Sequence, residues 1–203
     1  MFHHNKIYAR NVAGMTDILE SRIIGIAGCG GLGSNAAIAL ARAGIGRLIL
    51  ADYDYVEESN LNRQYFFKFD VGKAKVDALA DHIRHINSDI MLELHNLKLE
   101  PDDIPRIFGD ADILIEAFDR AEAKFALIDR WCKEFPQKPL IVGNGLSGCG
   151  HTNELKVVKA GQLYFCGDEK TDIEMGLCSA RVAIVANMQA NVAIQLLLGG
   201  GKI

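Results

Sequence analysis

The chain has 203 residues, 49% of them hydrophobic, which suits one α/β domain with a buried core, with or without a small appendage. Its 22 Lys and Arg against 26 Asp and Glu give a formal charge of −4 with no basic block, which argues against nucleic acid and against a membrane surface. The first residues lack the apolar core of a signal peptide, and no uninterrupted apolar run reaches the roughly 18 residues of a membrane span, so a cytoplasmic protein is expected.

Residues 1–20 are mixed and mostly polar, a lead-in with room for a short helix. Residues 22–27 are an apolar run ending in glycines and read as a buried strand. Residues 34–43, rich in Ala, Leu and Ile and closed by Gly44, read as a helix with a glycine stop. Residues 47–52 are a second buried strand, and the three pieces make a right-handed βαβ unit. Residues 53–71 are polar and aromatic without a period, which marks a functional loop. Residues 72–86 pattern as an amphipathic helix, with Val76, Leu79, Ala80 and Ile83 on one face and His82 and His85 on the solvated side. Leu92, Leu94, Leu97 and Leu99 suggest a strand over 91–99 with a slip near Asn96. A short helix (101–108), a strand (112–118), a helix (121–134) and a strand (139–143) follow. Residues 154–159 and 162–166, joined at Ala160-Gly161, look like a hairpin. Residues 167–177 form an acidic loop, and 180–198 a long helix closed by Gly199, Gly200 and Gly201. The alternation predicts a Rossmann-like α/β fold, doubly wound and mainly parallel, with an antiparallel C-terminal extension. A single domain over 1–203 is expected: the lead-in, a nucleotide-binding core over 21–143, and the hairpin and final helix over 144–203.

Gly28, Gly30, Gly31 and Gly33 lie between the first strand and the first long helix, the context in which a G-x-G-x-x-G pattern means nucleotide binding. Gly28 permits the tight turn, Gly30 and Gly31 let a phosphate approach the backbone, and Gly33 lets helix pack on strand. The free amides and the helix dipole favour an anion. Asp52 ends the next strand, where a carboxylate can take ribose hydroxyls. These features alone suit a dinucleotide dehydrogenase. The polar loop Ser59-Asn60-Leu61-Asn62-Arg63-Gln64 argues against one, because an arginine there answers a triphosphate. Lys73 follows Gly72 at a helix start and can face phosphates; Asp119 falls past the end of a strand, where it can hold magnesium.

The glycine loop, Asp52-Tyr53-Asp54, Ser59 to Gln64, Gly72-Lys73 and Asp119 together resemble the ThiF/MoeB/HesA family, bacterial relatives of ubiquitin-activating enzymes, and the closing helix also resembles that family's last segment. The resemblance implies an ATP- and magnesium-dependent adenylyltransferase. Its expected partner is a small ubiquitin-like sulfur carrier with a C-terminal Gly-Gly, of the thiamine-biosynthesis type. It implies that Asp52 binds the ribose, that Asn60, Arg63 and Gln64 line the triphosphate, that Lys73 contacts phosphates and that Asp119 holds magnesium. Arg10 resembles an N-terminal arginine that reaches a neighbouring subunit's site, which implies a homodimer; Asp54 shapes the loop or supports the site. The five cysteines include no C-x-x-C, so no zinc is expected. Some relatives relay the carrier through a cysteine, for which Cys178, and after it Cys166, are the candidates. Other readings are an enzyme activating a carboxylate on modified tRNA, and a nucleotide-binding scaffold without catalysis.

Overall fold

The computed structural model describes residues 6–171 and 173–200. Residues 1–5 of the lead-in, 172 of the acidic loop and 201–203 after the final helix lie outside the described residues. Seven strands make one sheet: β1 (Ile23–Ala27), β2 (Arg47–Ala51), β3 (Met91–His95), β4 (Ile113–Glu116), β5 (Leu140–Gly143), β6 (Lys156–Ala160) and β7 (Leu163–Gly167). Their order is β3-β2-β1-β4-β5-β7-β6. Every pairing is parallel except β6 with β7. The hairpin therefore continues the main sheet: β7 docks parallel on β5 and β6 closes the edge.

The helices are α1 (Met15–Leu19), α2 (Gly31–Ala43), α3 (Lys75–Ile86), α4 (Asp103–Phe108), α5 (Ala121–Glu134) and α6 (Ser179–Leu197). The strands are apolar on both faces because both are covered. Ile24, Ile26, Leu48 and Ile115 pack with Leu40 of α2, Leu79 of α3 and Val185 of α6. Ile49, Leu114 and Val142 face the other way onto Phe108 of α4 and Leu127 and Trp131 of α5. Each such buried side chain contributes about 1.5–3 kcal/mol. Gly25 makes room for this second layer, since a β-carbon there would stand 2.6 Å from the Phe108 ring.

Three local readings shift. The first long helix begins at Gly31, three residues before Ser34, so the glycines form its first turn. The third strand stops at His95, whose carbonyl accepts the Asp52 amide at 3.1 Å, and the leucines beyond it pack on the α4–α5 layer without strand pairing. His82 is not solvated: it meets Asp70 at 2.7 Å among the rings of Tyr65, Phe67 and Phe69. Among the described residues α6 alone has the length and mean hydropathy to cross a membrane, and its Val182, Val185, Ala186 and Ala193 are buried in the core against α2.

The sheet order sets the site. From β1 the chain winds outward through β2 and β3; from β4 it winds the opposite way through β5 and β7. The winding reverses between β1 and β4, and the crevice at the carboxyl ends of such strands receives ligands in open α/β sheets.

Candidate active site

The loop after β1 and the loop after β4 meet at this crevice. Gly28 has φ +95°, and a β-carbon on it would stand 2.8 Å from the Ala117 carbonyl oxygen. A β-carbon on Gly33 would stand 1.8 Å from the Gly28 oxygen, so no other residue fits there without moving the turn. Gly30 is the N-cap of α2 and no side chain caps it. The first amides of α2 therefore keep their donors for an anion.

Asp52 fixes this loop. Its Oδ2 accepts the Cys29 amide at 2.6 Å and its Oδ1 the Asp54 amide at 2.8 Å. Each oxygen retains a second acceptor position, so the carboxylate can hold the loop and still meet a ribose hydroxyl. Burial pushes the Cys29 thiol well up, Asp52 adds to the shift and Lys75 opposes it, which places a cation and an anion around the first residue of the turn.

The segment 59–65 lies on the start of α2. Asn35 Nδ2 donates to the Gly31 carbonyl at 2.7 Å and to the Arg63 carbonyl at 3.0 Å, and the Tyr65 amide donates to Ser34 Oγ at 2.9 Å. The stem of Arg63 passes 3.7 Å from the place of a Gly31 β-carbon. Its guanidinium turns back onto the Ser59 carbonyl at 3.0 Å and Asn62 Oδ1 at 2.8 Å. Gln64 is buried beside Gly30, and its Oε1 has no hydrogen-bond partner. Asn60 shapes the loop: its Oδ1 accepts the Glu57 amide at 3.1 Å.

The two lysines at the start of α3 part ways. Lys73, 44% exposed, gives its ammonium to Asp70 at 3.2 Å and lies 5.5 Å over the Phe69 ring. Asp70 is wholly buried and draws the nearest cations; burial pushes its carboxyl up, but the Phe67 amide, His82 and Lys73 outweigh this and hold it below the usual range. Lys75, only 6% exposed, reaches Asp54 Oδ2 at 2.7 Å. Side chains in the first helical turn lean back toward the helix start, which here aims Lys75 at the end of β2. The sequence suggests Lys73 for the phosphates; in the structure Lys73 is held by Asp70, while Lys75 is buried against Asp54 at the end of β2.

Asp119 is exposed at the mouth of the crevice, with no hydrogen bond or ion pair among the described residues. The loop carrying it is anchored from below. Buried Glu116 accepts the Phe118 amide on Oε1 at 2.7 Å and pairs with Lys124 on Oε2. Lys124 also donates to the Gly143 carbonyl at 2.9 Å, and Gln189 Nε2 donates to the Glu116 carbonyl at 3.0 Å. Burial raises the Glu116 carboxyl, and Lys124 offsets only part of that shift. A charged residue inside the apolar run 112–118 was the signal for this network, as the single cation Arg181 in α6 was for another. Arg181 pairs with buried Asp168 and donates to the Gly150 carbonyl at 2.6 Å.

Arg10 stands elsewhere. Tyr8 Oη donates to the Ala41 carbonyl at 3.0 Å and Asn11 Nδ2 to the Ala43 carbonyl at 2.9 Å, so the lead-in is pinned to the far end of α2. Twelve helical steps, about 18 Å of axis, separate that end from the glycine loop. Cys166 lies buried in β7, its thiol pushed up to about 12 by burial, while Cys178 is the partly exposed N-cap of α6.

The sequence profile of the ThiF family matches residues 4–203. The chain belongs to the ThiF family. Among its relatives are the ubiquitin-like modifier-activating enzymes 5 of Xenopus laevis, 30% identical over 86% of this chain and 49% of that protein, and of Gallus gallus, 31% identical over 86% and 49%. This ThiF-family chain spans about half the length of those curated relatives. In fold it resembles the Escherichia coli tRNA N6-threonylcarbamoyladenosine dehydratase solved with AMP, with TM-score 0.84 and 23% identity over 96% of this chain and 93% of that one. It also resembles E. coli MccB solved with ATP, with TM-score 0.74 and 22% identity over 93% and 59%. The mostly parallel α/β fold is thus shared with these solved structures.

Proposed function

We propose that this ThiF-family chain uses ATP to adenylate a carboxylate, and that its acceptor is the C-terminal Gly-Gly of a small ubiquitin-like sulfur carrier of the thiamine-biosynthesis type. One observation carries the reading. At the switch point the α2 amides are uncapped, the Arg63 stem lies against Gly31, Lys75 is held by Asp54 at the end of β2 and the unpartnered Asp119 follows β4, a set that suits a triphosphate far better than a nicotinamide dinucleotide. The buried, unpartnered Gln64 Oε1 beside Gly30 adds a polar contact that a bound nucleotide would complete. The names of the relatives, modifier-activating enzymes and proteins solved with ATP or AMP, support the same class.

In the proposed reaction the acceptor carboxylate attacks the α-phosphorus of ATP, giving an acyl-adenylate and pyrophosphate. Two anions must meet, so the site's task is to offset charge and align the reactants. The amides of α2 take phosphate oxygens. Arg63 swings from Ser59 onto the triphosphate, and Lys75, oriented by Asp54, faces the reacting centre. Asp52 holds the turn and the ribose. Asp119 would hold magnesium, which needs few protein carboxylates when phosphates complete its shell; once bound, the ion neutralises phosphate charge. No general base is required, since a carboxylate is already ionised near neutral pH. Arg10 serves the site of a second copy in a homodimer, because it stands at the opposite end of α2 from its own loop.

A second reading rests on the likeness to the E. coli tRNA enzyme, which covers nearly all of both chains. It shares the adenylation step and changes the acceptor to a carboxylate on modified tRNA; the formal charge of −4 weighs against it. ATP–pyrophosphate exchange separates the two. Exchange that needs a Gly-Gly-ended carrier supports the first reading, and exchange that needs tRNA carrying a carboxylated adenosine replaces it with the second. ATP binding without exchange from either acceptor leaves a nucleotide-binding scaffold.

A further inference from the structure

Two loop segments meet beside the first turn of α6. Gly148 and Leu177 form an isolated parallel bridge, and the Gly148 amide donates to the Gly176 carbonyl at 2.8 Å. The residue after each bridge partner continues from one of two adjacent backbone positions, with the first segment turning through left-handed Gly148 and Gly150. Here both next residues are cysteines, Cys149 and Cys178. A second tether closes beyond them, where Arg181 Nη1 donates to the Gly150 carbonyl at 2.6 Å while its other arm pairs with Asp168. Each thiol is thus bracketed by contacts between its own segment and the other's: Cys149 by Gly148 and Gly150, Cys178 by Leu177 and Arg181. Bridged segments such as Gly148 and Leu177 run about 4.8 Å apart, so the cysteine that follows each starts within reach of the Cα separation of about 4.4–6.8 Å that a disulfide needs. Access agrees, for Cys149 is exposed and Cys178 partly exposed, whereas Cys29 and Cys166 are buried. Cys178 also lies one turn before Val182, which stands 3.0 Å from the place of a Gly31 β-carbon, so the pair sits at the rim of the nucleotide loop.

We propose that Cys149 and Cys178 are a paired dithiol that closes into a disulfide by exchange with a small-molecule disulfide, strapping residues 148–150 to α6 at the rim of the nucleotide site. One cysteine attacks a sulfur of the small disulfide and expels a thiol. The second then attacks the protein sulfur of the mixed disulfide and expels the other thiol. One S–S bond forms in the protein as one breaks in the reagent. The two protein thiols are oxidised, and the reagent is reduced to two thiols that carry off both protons. The inference goes beyond adenylation and does not depend on it.

The native full chain is treated with oxidised glutathione, alkylated under denaturing conditions and digested with trypsin. The expected product is a linked pair of peptides, one ending at Lys156 and one at Arg181, free of glutathione and separated by dithiothreitol. Cys149→Ser should retain one glutathione on Cys178, and Cys178→Ser one on Cys149. Both variants fold, since residue 149 is exposed and serine suits the N-cap at 178. The oxidised wild type should melt above the reduced form, and both variants should lose that difference. Glutathione retained on both cysteines of the wild type overturns the proposal. So does a link to Cys132 or Cys166 in place of the expected one, and so does a melting temperature lowered by the link. None of these readouts uses catalysis, so a failed adenylation reading and a failed dithiol pair remain distinguishable.

Discussion

On the β1–β2 side of the switch point, the glycine loop is held mainly by hydrogen bonds to backbone groups. Asp52 takes the Cys29 and Asp54 amides, Gly28 donates to Ala51, and Asn35 clasps two carbonyls. On the β4–β5 side the loops are held by buried charge, Glu116 with Lys124 and Asp168 with Arg181. The first arrangement leaves the α2 amides uncapped and holds Arg63 only by the Ser59 carbonyl and Asn62 at the surface. The second commits its buried charges to each other and leaves Asp119 exposed at the loop. One side is built to bind and the other to stay in place, and the two should fail differently when broken.

The largest effect is expected on the holding side. Lys124→Ala strands the buried Glu116 carboxylate and should cost about 3–5 kcal/mol in urea unfolding near neutral pH. The sign with pH is specific. Burial has raised the Glu116 carboxyl, so the native state binds its proton more tightly than the unfolded chain does. The cost of the lost lysine should therefore shrink as pH falls and Glu116 protonates. A loss that stays constant from neutral to acidic pH would show that Lys124 acts by packing rather than charge.

On the binding side the chief change is Lys75→Ala. If Lys75 faces the reacting centre, ATP–pyrophosphate exchange should fall about 100-fold, the scale of removing one group aimed at developing transition-state charge, while the melting temperature moves little. A drop confined to stability with exchange per folded molecule intact would make Lys75 a strut for Asp54 alone.

How far each side was legible follows from the same contrast. The binding side announces itself because its parts are near in sequence and each residue type has one chemical reason: glycines at a turn, an acid at a strand end, an arginine in a polar loop. The sheet was legible because runs such as Ile23–Ala27 and Leu140–Gly143 are apolar on both faces. The holding side was not, because Asp168 meets Arg181 across thirteen residues and Gln189 meets Glu116 across seventy-three. No local pattern encodes such pairs. Nor could spacing choose between Lys73 and Lys75: Asp70 lies three residues before Lys73, but the burial that makes it draw the lysine is set by the fold.

A smaller effect concerns acid. Burial pushes the Asp168 carboxyl up, but the Thr171 and Lys170 amides, the Thr171 hydroxyl and Arg181 outweigh it and hold it below the ordinary range. Asp70 is held down in the same way. A carboxyl lower in the folded than in the unfolded chain gives stability that is present above the ordinary carboxylate pKa and is lost as pH falls through the folded value. Urea midpoints should thus decline below about pH 4, with a shallower slope in Asp168→Asn. An unchanged slope would mean that the pair at α6 gives no pH-dependent support.

The smallest effect is the one that tests the contrast most sharply. Lys73 is largely solvated and its partner Asp70 keeps His82 and the Phe67 amide when the lysine is gone. Surface-exposed ion pairs contribute about 0–1 kcal/mol, so Lys73→Ala should lower stability by no more than about 1 kcal/mol. If its ammonium stays with Asp70 when ATP is present, exchange should remain within about threefold of the parent, which is less than 1 kcal/mol of barrier. A loss as deep as that of Lys75→Ala would require the ammonium to leave Asp70 and Phe69 for the phosphates. The accessible loop 53–71 would then rearrange around nucleotide, and the division between a side that binds and a side that holds would rest on the buried pairs alone.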